Sequence, residues 1–260
     1  MTHISFSELK NWSRCAFYHK LTYIDKIRLF QGNEYTAFGT AVHDVCERLL
    51  MKENFKPEEY FLSRFREELK SLPEDLEIRK KLAVDMKQQG EDLLPHIMPA
   101  VDEYFGEYEV VSTEEPIMLP ITEFEDADYN FKGFIDLVLK TPDGRYHVID
   151  WKTCSWGWDA RKRADVMIVY QLIYYKHYYA QKHGIDPSMI DVHFGLLKRT
   201  AKKDHVELFK ITSGKKRTEN AIKFLVNALY NINTKKYVKN KLACNGPFGP
   251  CEFYKTEHCT

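Results

Sequence analysis

The stretch FKGFIDLVLKTPDGRYHVIDWKT, from Phe131 to Thr153, restricts the fold more than any other part of the chain. Apolar residues with β propensity flank Pro142-Asp143-Gly144, and that pattern reads as two strands joined by a tight turn. Proline sets the first φ of a type I turn and glycine takes the left-handed position that closes it, which pairs Thr141 with Arg145. Counting back along both strands puts Asp136 opposite Asp150. Both carboxylates and Lys152 then lie on one face, because side chains alternate with a period of two. Facing carboxylates about 5 Å apart repel by roughly 3 kcal/mol at an effective dielectric near 20. A divalent cation offsets that directly. A structural ion pair with Lys152 in a solvated sheet is the other reading of the same three charges.

Around this hairpin the patterning alternates between periods. Ser5 and Glu8 have capping-box spacing, which predicts a helix to about Tyr18, and a second helix is expected over residues 37–51. Residues 55–108 are charged and helical in period, broken at Pro73, Gly90, Pro95 and Pro99, and read as a helical insertion long enough to arch over the hairpin. From Glu109 the period becomes two through EVVSTEEPIMLPI. A helix over 164–183, the strand pair VHFGLLKRT and HVELFKI, a helix over 216–235 and a Gly/Pro/Cys-rich tail complete the chain. The pattern predicts one α/β domain over residues 1–260, a central mixed sheet flanked by helices, with the insertion and the cysteine-rich tail as appendages.

Thirty-eight basic residues balance thirty-eight acidic ones, so any nucleic-acid surface has to be local. No apolar run approaches the roughly 20 residues of a membrane helix, and no leader pattern opens the chain, so an intracellular, cytoplasmic protein without a membrane partner is expected. In that setting six cysteines point to thiols or metal ligands before disulfides. A phosphate-binding loop of the Gly-x4-Gly-Lys type is absent, which excludes a built-in helicase motor.

Gly133-Phe134-Ile135-Asp136 followed by Val148-Ile149-Asp150-Trp151-Lys152-Thr153 resembles the G-x-x-D and (D/E)-x-K core of PD-(D/E)XK nucleases, written GRID and DYKT in their RecB-like branch. Phe134 stands where the usual arginine is. Upstream, Phe38-Gly39-Thr40-Ala41-Val42-His43 is similar to the family's G-x-x-x-H segment; downstream, Gln171 to Tyr175 is similar to its Q-x-x-x-Y helix. Taken alone, His43 beside an apolar stripe reads as a boundary residue, and a tyrosine-rich helix reads as packing. The four motifs in order imply a restriction-endonuclease-like core. They imply Mg²⁺ or Mn²⁺ held by His43, Asp136, Asp150 and the Trp151 carbonyl, with Lys152 catalytic and Gln171 and Tyr175 at the site.

The tail places Cys244, Cys251 and Cys259 within sixteen residues, with Cys15 near the other end of the chain. One early and three late cysteines resemble the layout of iron–sulfur nucleases in this branch, including the AddB-type subunit and the CRISPR-associated adaptation exonucleases. The resemblance implies a [4Fe-4S] cluster held by residues 242–260 and Cys15. The gaps here hold six and seven residues, longer than the family's, and zinc on the same thiolates, with or without His258, is the alternative, as are free thiols.

Basic runs such as Arg161-Lys162-Arg163 and Lys215-Lys216-Arg217 are solvated faces or a phosphate track, and Trp156 and Trp158 anchor a loop or stack on bases. The expected activity is a metal-dependent exonuclease working on single-stranded DNA or free ends in recombination, repair or processing, with a helicase or recombination protein as partner. The alternatives are a non-catalytic DNA-binding or scaffold subunit on the same fold and a metallohydrolase acting on a small phosphoester.

Overall fold

The computed structural model describes residues 2–246 and 249–259. In chain order it contains β1 (Thr2–Ser5), α1 (Phe6–Arg14), α2 (Ala16–His19), α3 (Glu34–Leu50), α4 (Pro57–Lys70), α5 (Lys80–Leu93) and α6 (Ile97–Phe105). There follow β2 (Glu109–Pro120), β3 (Tyr129–Lys140), β4 (Tyr146–Cys154), α7 (Ala160–Arg163), α8 (Val166–His183), β5 (Ile190–Lys198), β6 (Val206–Ile211) and α9 (Lys215–Asn233). The short pair β7 (Asn245–Gly246) and β8 (Gly249–Pro250) comes last. Two compact units share these elements: Gly32–Pro116 with Phe134–Ser213, and Met1–Gln31 with Ile117–Gly133 and Gly214–Thr260. Among the described residues no helix is long and apolar enough to cross a membrane.

The first unit is built on a mixed sheet in the order β3, β4, β5, β6. β3 and β4 are antiparallel, β4 and β5 parallel, β5 and β6 antiparallel. A parallel neighbour needs a crossover, and α8 provides it, packing on both β4 and β5. The sheet is covered on both faces, so β4 is buried from His147 to Trp151. One face carries Leu137, Leu139, Ile149 and Trp151 into a core shared with Ala41, Val42 and Val45 of α3, Phe61 and Phe65 of α4, Met86 of α5 and Ile97 of α6. The segment expected to arch over the hairpin is therefore part of the core, since each buried phenylalanine contributes about 2–3 kcal/mol only when removed from water.

Gly195 is where β5 makes room for that core. It pairs with Trp151, and a Cβ built on it would lie 2.2 Å from the indole carbons, so the ring lies on bare backbone. The second unit pairs β1 parallel to the first residues of β3, Thr2 beside Tyr129 through Ser5 beside Lys132. Ser5 caps α1 by accepting from the Glu8 amide at 3.2 Å. The helix ends at Arg14 instead of running to Tyr18 because Cys15 is extended, with φ −163° and ψ 111°.

Candidate active site

The hairpin turn positions the carboxylates. Thr141 N–H donates to the Arg145 carbonyl at 3.0 Å, Gly144 N–H donates back to the Thr141 carbonyl at 2.9 Å, and Gly144 has φ 84°. Regular pairing runs from Lys140 opposite Tyr146 to Leu137 opposite Ile149, the register the turn predicts. One step further, the Asp136 carboxylate accepts the Trp151 amide at 2.6 Å. This contact locks the Asp136 side chain to the β4 backbone beside Asp150.

Asp150 is only 2 % exposed, and the Lys152 ammonium lies against its Oδ2, 2.5 Å away. Burial pushes the Asp150 carboxyl up to about 6; Lys152 opposes this and Asp136 reinforces it. Asp136 is likewise raised by burial, against Lys152 and the Trp151 amide.

His43 comes from α3. Asn33 caps this helix, accepting from the Tyr35 and Thr36 amides. Gly39, one turn before His43, lets the helix approach β4, for a Cβ there would lie 3.3 Å from Thr153 Oγ1. His43 Nδ1 is 3.9 Å from Asp136 Oδ2. Desolvation first and the Lys152 ammonium second push its pKa down to about 4, so the imidazole is neutral at physiological pH, the form that binds metals. From α8, Gln171 Nε2 donates to the Tyr175 hydroxyl at 3.1 Å. Burial raises the Tyr175 pKa, and Asp150 and Asp136 both add to the shift, which places this phenol in the field of the carboxylate pair.

Glu114 escaped the sequence reading. It sits on β2 with φ 46°, and burial plus the charges of Asp136, Glu47, Asp44 and Asp150 raise its carboxyl to about 7. The only signal was the doublet Glu114-Glu115 in a strand; Glu115 points elsewhere, to Lys182 and His183. Among the described residues no three His, Cys, Asp or Glu side chains stand at ready-made metal spacing. The donor chemistry still fits a divalent cation: a neutral imidazole beside two adjoining carboxylates.

The cysteines fall into separate groups. Cys15, Cys244, Cys251 and Cys259 all line one cavity of 340 Å³ in the unit that holds the chain's ends. Cys251 N–H donates to the Cys244 carbonyl at 2.8 Å, Asn240 N–H meets Cys15 Sγ at 3.4 Å, and none of the four is in a disulfide. Cys46 is 1 % exposed in the core of α3, where burial raises its thiol pKa, and Cys154 ends β4.

The sequence profile described as the PD-(D/E)XK nuclease superfamily matches residues 3–258. No curated protein matches the chain. A solved structure titled "Crystal structure of SSO0001" is 12% identical over 86% of this chain and 85% of that one, with a TM-score of 0.36, a likeness too loose to carry an argument.

Proposed function

The chain belongs to the PD-(D/E)XK nuclease superfamily, and on that premise we propose that it is a divalent-cation-dependent deoxyribonuclease of the RecB-like kind, acting exonucleolytically on single strands or free ends. The observation that carries this reading is the convergence of four groups: Asp136 held by the Trp151 amide beside the buried Asp150, Lys152 Nζ 2.5 Å from Asp150, and His43 Nδ1 3.9 Å from Asp136. A structural ion pair needs one acid for one lysine, whereas here two carboxylates raised by burial and a neutral imidazole share a single ammonium, which leaves negative charge for a cation to offset. Retention of both acids together with the lysine also weighs against a non-catalytic scaffold.

His43, Asp136, Asp150 and the Trp151 carbonyl would hold Mg²⁺ or Mn²⁺, and the imidazole favours Mn²⁺. When bound, the cation supplies Lewis acidity to the phosphate and neutralises the paired carboxylates. Lys152 keeps a third of its side chain exposed, so its ammonium faces incoming strand and solvent together, orienting the attacking water and stabilising charge that develops on phosphate oxygen. Gln171 fixes the Tyr175 hydroxyl near the carboxylates, and that hydroxyl donates to a phosphate oxygen. No base-reading motif is present in the sequence, so discrimination rests on strand structure.

All four thiols line one cavity, which supports a [4Fe-4S] cluster, whose usual ligand set is four thiolates, with zinc on the same thiolates as the alternative. Such a cluster ties residues 242–259 to Cys15 and serves stability before chemistry. A helicase or recombination protein that delivers single strands is the partner such an enzyme calls for.

The test is cleavage of linear single-stranded, linear duplex and closed circular DNA with and without Mg²⁺ or Mn²⁺. Asp136→Ala, Asp150→Ala and Lys152→Ala are each expected to lower the rate at least a hundredfold while remaining folded. Undiminished cutting by Asp150→Ala defeats the site. Rapid cutting of closed circles defeats the exonuclease reading alone.

A further inference from the structure

Arg199 stands apart from the other partly buried arginines of its unit. Arg48, Arg64, Arg145 and Arg163 each have a carboxylate within 4 Å, respectively Glu53, Asp44, Asp191 and Glu207. Arg199 has none among the described residues. Its Nη1 donates to Gln89 Oε1 at 2.6 Å and its Nη2 to Ser155 Oγ at 2.8 Å, both neutral acceptors. The guanidinium also lies over the ring of Tyr35, 5.2 Å from the centroid, and burial lowers its pKa. Two neutral oxygens use two of five N–H donors and leave the charge uncompensated. A half-buried cation held in place by neutral groups is costly unless an anion from outside completes it.

Its place in the fold says which anion. Arg199 N–H bonds the Cys154 carbonyl and Thr200 N–H the Ser155 carbonyl, so the residue lies beside β4 two to three positions beyond Lys152. β4 ends at Cys154, so Arg199 marks the end of the strand that carries Lys152, and the polyanion expected at Lys152 is the anion of its neighbourhood. The Tyr35 ring, 43 % exposed, fixes the guanidinium from one side. A second guanidinium, Arg79, lies over the same ring at 5.4 Å, but Glu34 neutralises it through hydrogen bonds of 3.0 and 2.8 Å. Arg199 thus keeps, among the described residues, a charge that no carboxylate within 4 Å offsets.

Resting on the nuclease reading above, we propose that Arg199 binds a backbone phosphate of the single DNA strand flanking the scissile one, with the Tyr35 ring holding the guanidinium in place for it. Gln89 and Ser155 set the guanidinium plane so that its remaining donors meet phosphate oxygens as a fork. Arg199 holds the strand and does not touch the reacting atoms.

The experiment compares wild type with Arg199→Gln, Arg199→Lys and Tyr35→Ala on a single-stranded oligonucleotide, measuring kcat, KM and the salt dependence of binding. Arg199→Gln is expected to raise KM about tenfold, the scale of one lost charge-assisted bond, with kcat within about twofold. It should also make the slope of log affinity against log salt shallower by about 0.7, one phosphate contact on a single strand. Arg199→Lys should restore the slope while regaining only part of the KM, and Tyr35→Ala should raise KM without changing the slope. A wild-type KM and slope in Arg199→Gln overturns the proposal, as does a fall in kcat with an unchanged slope, the mark of a structural role. Wild-type protein that neither binds nor cuts DNA refutes the nuclease reading itself, whereas an active enzyme indifferent to Arg199→Gln refutes only this inference.

Discussion

Asp150 shows how one buried residue carries both the chemistry and a stability cost. Its folded pKa of about 6 lies above the ordinary carboxylate value, so the fold favours the protonated form. Stability present below about pH 4 is therefore lost as pH rises through 6, by about 2–3 kcal/mol in full. Asp150→Asn is expected to be more stable than wild type at pH 7 in a chelator, to converge with it near pH 4, and to lose most of the advantage when Mn²⁺ is added to wild type. Denaturant melts across that range check it, and a less stable Asn variant at pH 7 contradicts it. Glu34 runs the other way. Hydrogen bonds from Arg79 hold its carboxyl down to about 2, so it stabilises the fold above about pH 4 and loses that contribution as pH falls through 2. Arg79 is 57 % exposed, so solvent screening reduces the effect, and Arg79→Ala should cost about 1 kcal/mol at pH 7 and raise the midpoint of acid unfolding. An unchanged acid midpoint would show the pair to be inert.

At the scale of elements, the hairpin is the best-specified piece and the helices the least. Pro142-Asp143-Gly144 dictates a turn, the turn dictates the register, and the register brings Asp136 to Asp150 without help from the rest of the chain. The approach of β5 and α3 to β4 is different, for it depends on what Gly195 and Gly39 leave out. Gly195→Ala would set a methyl 2.2 Å from the Trp151 ring, between hydrogen-bonded strands with no freedom to part. The expected cost is about 2–3 kcal/mol, with a loss of cleavage because the Trp151 amide holds Asp136. Calorimetry together with a cleavage assay tests this; a variant with the wild-type melting temperature would show that the strand pair can shift.

For the whole molecule, the consequential feature is that both ends of the chain line one cavity through four thiols. Anaerobically purified protein is expected to contain about four irons per chain, and serine at Cys15, Cys244, Cys251 or Cys259 should reduce iron content and melting temperature together. Stoichiometric zinc without iron would replace the cluster by a mononuclear site. Metal content is the measurement to compare with Cys46→Ser. That thiol is buried in the core, and a hydroxyl there lowers stability by about 1–3 kcal/mol without touching any metal.

Periodicity and turn chemistry act between neighbours, so the sequence by itself determined the α/β class, the carboxylate hairpin with its register, and the helical character of α3, α8 and α9 to within a few residues. The same locality set its limits. The helices of residues 57–105 join the core because Phe61, Phe65 and Met86 meet Leu137 and Trp151, contacts between positions far apart in sequence. Glu114, at φ 46° on β2, enters the field of Asp136 and Asp150, and a doublet of glutamates in a strand says nothing of that. In the sequence Arg199 simply follows Lys198, and nothing local distinguishes it. Only the folded chain, by surrounding its guanidinium with Gln89, Ser155 and Tyr35 and, among the described residues, no carboxylate, left it a charge to share.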